Sequence, residues 1–256
     1  MGRAKVAFVT GGGRGIGRAC ALRLAREGLA VAVGARTESA CRGLAAEIRK
    51  AGGTAVAIRL DVTDPESVRA AFESAETALG PPDVLVCGAG IAISARLLET
   101  DPAAWSDTLA VNLTGPWLCM RAVLHGMIER NFGRIVVIGS TASLRGAPYV
   151  SAYAASKHGV LGLVRSVAAE VARKDITVNC VCPGFVDTPM TDASIRLIVE
   201  RTGRTPEEAR AALEGMNPQG RLLRPDEVAD AVAWLAREES RAVNGEALVL
   251  DGGAGG

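Results

Sequence analysis

The chain is short of aromatic side chains, at 4% of its 256 residues, and of histidine, with only His125 and His158. Two histidines are too few for a histidine-built metal site, and both fall in helical stretches where a surface or satisfied role is expected. Charge of one sign is missing as well. With 29 basic residues against 28 acidic ones, and no basic arm or aromatic-interleaved basic patch, nucleic-acid binding is not expected. No apolar run nears the length of a membrane span, and the start of the chain lacks the charged and apolar regions of a secretory signal. Met1-Gly2-Arg3-Ala4-Lys5-Val6 also lacks the Ser or Thr of a myristoylation signal. The six cysteines, at 20, 41, 87, 119, 180 and 182, form no C-x-x-C pair and lie in apolar contexts that suit buried thiols, so a reducing cytoplasm is the expected compartment.

What the chain does have is regular alternation. Apolar runs at about 5–10, 30–35, 54–60, 83–88, 134–139, 176–182 and 246–250 read as short buried strands. Amphipathic stretches lie between them, among them 38–51, 65–79, 102–130 and 151–174, several opened by Ser, Thr or Asp caps. Such alternation predicts βαβ units and a parallel sheet covered on both faces. Composition, at 48% hydrophobic and 22% charged, suits one globular α/β domain over 1–256, with no linker or internal repeat. One segment breaks the rhythm. From about 187 to 220 a strand end is followed by helical pieces at 193–201 and 205–215 rather than a short connection. Because ligands in open α/β sheets bind beyond the carboxyl ends of strands, this segment is expected to be a substrate-covering lid. Its apolar candidates for facing a substrate are Met190, Ile195, Leu197, Ile198, Leu213 and Met216.

Two motifs carry chemistry. The first strand runs into Gly11-Gly12-Gly13-Arg14-Gly15-Ile16-Gly17 and then a helical pattern. A strand, a glycine turn and a helix start make an anion site, because backbone N–H groups point at a phosphate and missing Cβ atoms let it approach. The G-x-G-x-x-G fingerprint itself is not matched, since Arg18 stands where the third glycine would fall. In the second motif, Tyr153 and Lys157 at i, i+4 share one helix face. A cation beside a phenol favours its ionised form, and the pair can act as acid or base in an alcohol–ketone interconversion.

Thr10-Gly11-x-x-x-Gly15-x-Gly17 and Tyr153-x-x-x-Lys157 resemble the cofactor and catalytic motifs of the short-chain dehydrogenase/reductase family. Asp61-Val62, Cys87-Gly88-Ala89-Gly90, Asn112, Ser140 and Pro183-Gly184-Phe185-Val186-Asp187-Thr188 follow in that family's order, so the resemblance covers nearly the whole chain. It implies a single doubly wound Rossmann-type domain and a catalytic set of Asn112, Ser140, Tyr153 and Lys157. It also implies a cofactor site of Gly11, Gly13, Arg14, Gly15, Ile16, Gly17, Arg36, Thr37, Asp61, Val62, Ala89, Gly90, Tyr153, Lys157, Pro183, Gly184, Val186 and Thr188. Asp61 and Val62 would contact adenine, Thr188 and the Val186 backbone the nicotinamide carboxamide, and Asn112 would link Lys157 to solvent. The chain departs from the family at Cys87, where Asn is usual, so the hydrogen bonds of that Asn to a neighbouring strand need another source.

Cofactor choice hinges on the end of the second strand, where an acidic residue would hold the ribose 2′-OH of NAD. Here the strand ends Val33-Gly34-Ala35-Arg36-Thr37, and Arg36 offers a phosphate-binding fork with Arg14 nearby, so NADP(H) is favoured over NAD(H). Glu38 leaves a ribose contact open. Within the family the motifs look most like 3-oxoacyl thioester reductases and aromatic polyketide ketoreductases. The expected activity is NADPH-dependent reduction of a 3-oxoacyl thioester or related ketone. The alternative is oxidation of a secondary alcohol such as a 3-hydroxy acid or 3-hydroxyacyl-CoA. A binding module without turnover would need the glycines but not Tyr153, Lys157 and Ser140 in register. An acyl carrier protein or CoA is an expected bearer of the substrate, with Arg130, Arg134, Arg173 and Lys174 as candidate docking residues near the cleft. The resemblance also implies a homotetramer.

Overall fold

The computed structural model describes residues 4–254, so the reading of Met1-Gly2-Arg3 lies outside the described residues. Seven strands, β1 (Val6–Thr10), β2 (Ala30–Ala35), β3 (Ala55–Arg59), β4 (Val84–Cys87), β5 (Gly133–Ile138), β6 (Ile176–Pro183) and β7 (Ala247–Leu250), form one parallel sheet in the order β3-β2-β1-β4-β5-β6-β7. Each strand lies within two residues of its sequence-based range. The helices are α1 (Gly15–Arg26), α2 (Glu38–Lys50), α3 (Pro65–Leu79), α4 (Pro102–Leu109), α5 (Gly115–Arg130), α6 (Ser151–Glu170), α7 (Pro189–Thr202), α8 (Pro206–Glu214) and α9 (Pro225–Leu235).

Strand side chains alternate between two helical layers, as the pleat requires. Phe8 faces a core built with α3, α5 and α6, through Phe72, Val123 and Val164. Its neighbours Ala7 and Val9 face a second core with α1, α2 and α9, through Leu24, Leu44 and Val232. Phe8 stacks on Phe72 at a centroid distance of 4.1 Å. Full burial of a side chain of that size contributes about 1.5–3 kcal/mol, and strands buried on both faces account for their near-continuous apolar runs.

Several helices start with their orphan N–H groups occupied. Asp64 accepts from Glu66 N before Pro65, Asp101 accepts from Ala103 N before Pro102, and Thr205 and Glu208 form a capping box around Pro206. α1 is different. It starts on glycine after Arg14, with no side-chain cap and no acidic residue in its first turn.

The stretch 102–130 is not one helix. A π-helical turn, Ala110–Thr114, separates α4 from α5 and carries Asn112. Such bulges cluster at functional sites because the extra residue re-aims a side chain. Close packing holds the helix to the sheet here, since a Cβ on Gly115 would lie 2.8 Å from Val62 Cγ2. In the lid segment α7 starts earlier than expected because Pro189 takes the first helical position.

Candidate active site

The sheet order reverses between β1 and β4, and there the carboxyl ends of neighbouring strands open a crevice. Gly11 turns there with φ +66, and a Cβ on it would lie 2.7 Å from the Ala89 backbone. A Cβ on Gly17 would lie 2.3 Å from Gly11 O, so α1 starts hard against the turn. Thr10 ties the turn after β4 to β1, its Oγ1 accepting from Gly88 N at 3.1 Å and Ala89 N at 3.2 Å. Cys87 itself is buried against Cys119, which together with burial pushes its thiol up.

Tyr153 and Lys157 do share a face. The Lys157 ammonium lies 5.7 Å from the Tyr153 ring centroid and donates to Ile138 O at 2.7 Å. Ser140 follows β5 directly and starts a 3-10 turn, Thr141–Ser143, that packs on α6. Its Oγ accepts from Ala142 N at 3.1 Å. Asn112 is buried, with Oδ1 accepting from Ile91 N at 2.9 Å and Nδ2 donating to Ile91 O at 2.9 Å and Ser156 Oγ at 3.0 Å. Ser156 Oγ in turn donates to Tyr153 O at 2.7 Å. Asn112 thus staples the loop after β4 to α6. Gly90 joins the group, since a Cβ on it would lie 3.4 Å from Asn112 Oδ1 and 3.9 Å from Lys157 Nζ.

Further residues line the same edge. Arg14, Arg36 and Thr37 are exposed beyond β1 and β2. Glu38 pairs with Arg42 at 2.9 Å on the exposed surface of α2. Asp61 accepts from Thr63 N at 3.0 Å and Thr63 Oγ1 at 2.7 Å. Thr63's backbone N–H, its hydroxyl, and the charges of Arg36 and Arg59 hold the Asp61 carboxyl below its usual range, against its partial burial. Val62 is buried in the core, leaving its backbone for any ligand contact. On the far side of the crevice, Pro183 ends β6 and Gly184 N donates to Leu250 O at 2.8 Å. Val186 is buried, and Thr188 Oγ1 donates to Val186 O at 3.4 Å. Thr188 packs over the glycine turn, 3.4 Å from where a Cβ on Gly15 would be.

Two expectations are corrected. Arg130, Arg134, Arg173 and Lys174 are not near the cleft: Arg130 precedes β5, Arg134 lies at its start, and Arg173 and Lys174 precede β6, so all four gather at the amino edge of the sheet. Arg134 is 0% exposed and bonds the Asp175 carboxylate at 2.8 Å, so it docks nothing. Of the lid's apolar residues, Ile195 and Leu213 are buried with Ala209 and Leu222 in a core of the lid's own, with Ile198 packed against it. Leu197 is half-buried, while Met190 and Met216 are left exposed. Sequence reasoning also missed Thr10 as an acceptor, Ser156 as the partner of Asn112, and Arg59. The Cys87 departure was the one signal that could have pointed to Thr10.

A doubly wound sheet with an uncapped helix start at its switch point is the architecture of dinucleotide-dependent oxidoreductases, and known proteins of similar sequence place the chain in that class. A family model described as enoyl-(acyl carrier protein) reductase matches residues 11–255. The chain is 41% identical to cis-4-hydroxycyclohexanecarboxylate dehydrogenase of Sinomonas cyclohexanicum, over 97% of this chain and 96% of the relative. It is 39% identical to 3-oxoacyl-(acyl-carrier-protein) reductase of Vibrio cholerae, again over 97% and 96%. A crystal structure of an actinorhodin polyketide ketoreductase variant with NADPH superposes with a TM-score of 0.95 at 39% identity, covering 98% of this chain and 97% of that one. The chain belongs to the short-chain dehydrogenase/reductase family and is an enzyme acting on carbonyl and alcohol groups.

Proposed function

We propose that the protein reduces a 3-oxoacyl thioester or a related ketone with NADPH. The single observation that carries this reading is the convergence of Tyr153, Lys157 and the Ser140 turn at the carboxyl edge of the sheet, beside the β1/β4 crevice. The uncapped N-terminus of α1, free of acidic residues, fits a pyrophosphate, with Gly11, Gly13, Gly15, Ile16 and Gly17 around it. Arg36 and Arg14 suit a 2′-phosphate, and Asp61 and the Val62 backbone the adenine. Ala89, Gly90, Pro183, Gly184, Val186 and Thr188 would hold the nicotinamide end. Bound there, the cofactor supplies the hydride.

As hydride reaches the carbonyl carbon, negative charge grows on the oxygen. Tyr153 gives its proton to that oxygen while Ser140 hydrogen-bonds to it. The Lys157 ammonium favours the negative charge left on the phenol and holds ribose hydroxyls. Asn112 keeps the β4 loop and α6 in register, so Gly90 and Lys157 stay together. The α7–α8 segment covers the substrate, with Met190 and Met216 free to meet apolar parts of it. For a carrier-borne substrate, Arg96 and Arg145 are the exposed cations that follow β4 and β5 on the cleft edge. The whole chain forms one catalytic domain with the lid at about 187–220. A cytoplasmic setting suits six free thiols. For a homotetramer, the exposed apolar residues Trp105, Trp117 and Ile128 on α4 and α5, and Trp234 and Val249 on α9 and β7, are candidate contacts.

The second reading is oxidation of a secondary alcohol, favoured by the likeness to the cyclohexanecarboxylate dehydrogenase. One panel tests both. Ketones and 3-oxoacyl thioesters with NADPH or NADH, and hydroxy acids with NADP or NAD, are followed at the nicotinamide absorbance. Fastest turnover is expected for NADPH with a 3-oxo compound. Turnover confined to alcohols with NAD would replace the first reading by the second.

A further inference from the structure

Ser140 rests on a hydrogen-bonded shelf that reaches down into β6. Its N–H donates to Ser143 Oγ at 3.2 Å, while its own Oγ accepts from Ala142 N at 3.1 Å. Ser143 is 2% exposed. Beneath it lie Cys182 and Cys180, on one face of the strand, with sulfurs 3.6 Å apart. The Ser143 hydroxyl and the Ser140 N–H both reach the Cys182 sulfur. Packing leaves no slack, since a Cβ on Gly139 would lie 2.5 Å from Cys180 Sγ, 2.9 Å from Ser143 Oγ and 3.1 Å from Cys182 Sγ.

The shelf has a direction. A serine hydroxyl has one proton to give and two lone pairs to offer. Ser143 spends a lone pair on the Ser140 N–H, and its hydroxyl also reaches the sulfur of Cys182. Ser140 spends a lone pair on Ala142, which fixes its side chain and leaves its proton undirected by any group of the turn. That proton is the one a developing oxyanion needs. Without Ser143 the Ser140 N–H loses its oxygen acceptor and keeps only the sulfur of Cys182, the weaker one, in a site too crowded to repack.

We propose that Ser143, seated on Cys182, is a positioning residue that fixes the Ser140 turn so that the Ser140 hydroxyl gives its hydrogen bond to the substrate oxygen. The proposal rests on the carbonyl–alcohol reading given above, in which Ser140 touches the reacting oxygen.

The test is a double-mutant cycle on the full chain, with NADPH and the best ketone of the panel. Ser143→Ala should lower kcat about tenfold to a hundredfold, the cost of misplacing a donor, with the Michaelis constant for NADPH within about twofold of wild type. In the Ser140→Ala background the same change should alter kcat by less than about twofold, because a residue acting through Ser140 has nothing left to act on. Should Ser143→Ala not fold, Cys182→Ala takes its place in both backgrounds, and Cys182→Ser, which keeps an acceptor under Ser143, should restore most of the rate. Equal losses in the two backgrounds, or a single-variant kcat within twofold of wild type, would overturn the positioning role. A wild-type enzyme that turns over neither nicotinamide cofactor with any substrate of the panel overturns the carbonyl–alcohol reading and the proposal together, whereas an active wild type with an additive cycle overturns the proposal alone.

Discussion

Lys157 hangs from the end of β5, its ammonium donating to the carbonyl oxygen of Ile138 at 2.7 Å. It is 5% exposed, and a buried cation is tolerated only where it is hydrogen-bonded. An ammonium has three donors, and this bond uses one. The others are the ones a ribose diol would take, with Gly90 close enough that its missing Cβ leaves the approach open. The carbonyl of Ile138 therefore sets the height of Lys157 beside the phenol of Tyr153, just before the chain turns at Ser140.

Tyr153→Phe keeps the ring and removes the proton. Turnover should fall by about a hundredfold to ten-thousandfold, the range of general acid catalysis, while NADPH affinity, read by nicotinamide fluorescence, stays near wild type because Lys157 keeps its bond to Ile138. Activity within tenfold of wild type would remove Tyr153 from proton donation.

Arg36→Asp addresses the choice of cofactor. Arg36 is exposed beyond β2, so the strand end presents a guanidinium where the adenine ribose would lie. The Michaelis constant for NADPH should rise at least tenfold, with little change for NADH, since a new carboxylate repels a 2′-phosphate and accepts from a 2′-OH. An equal effect on both cofactors would show that Arg36 does not read the phosphate.

The fold was legible because strands buried on both faces are apolar along most of their length, and every such run became a strand. The motif residues around Gly11, Tyr153 and Lys157 were legible because short-range spacing fixes their geometry. The break at Asn112 was not, because a π turn changes neither hydrophobic period nor composition enough to show. Nor were the places of Arg134 and Ile195, since a charge reads as exposed and an apolar lid residue as substrate-facing until partners such as Asp175 and Leu213 are known. Thr10 bonding Ala89 is a contact between distant segments, outside any local pattern.

Arg210 ties α8 back to the chain just after β6, the root of the proposed lid. Its guanidinium meets both oxygens of Asp187, at 2.9 and 3.3 Å, next to Thr188. Arg210→Ala should raise the substrate Michaelis constant a few-fold with kcat little changed. Because both partners are partly exposed, 1 M salt should produce much of the same effect in the wild type. A Michaelis constant unmoved by either change would show that the lid closes without the latch.

Glu227 anchors the exit from the lid. Arg221 donates to both its oxygens, at 2.8 and 2.7 Å, and the Arg224 N–H donates at 2.7 Å. These bonds, those of Arg221 foremost, bring its pKa down from 4.5 to about 2. A folded value below the unfolded one means that the stabilisation is complete above about pH 4.5 and is lost as the pH falls towards 2. Glu227→Gln should therefore lower the melting temperature by a constant amount between pH 5 and 7. The gap should narrow below about pH 4.5 and close near pH 2. A gap that persists unchanged to the lowest pH would mean that packing, not ionisation, sets the contribution of Glu227.

Thr10 is 1% exposed, and its hydroxyl is the acceptor that joins the β1 and β4 turns across the crevice. Thr10→Val keeps the shape and removes the acceptor. Gly88 N retains Val86 O at 3.2 Å, so the loss falls on Ala89 N. An unsatisfied buried N–H costs about 1–3 kcal/mol, and in a chain of this size each kcal/mol lowers the melting temperature by roughly 2–4 °C. Ala89 also packs directly against Gly11 of the glycine turn, so the Michaelis constant for NADPH should rise with the loss of stability. Thr10→Ser, which restores the hydroxyl without the methyl, should recover cofactor affinity more fully than stability. If Thr10→Val matched wild type in both, the turn after β4 would be holding itself.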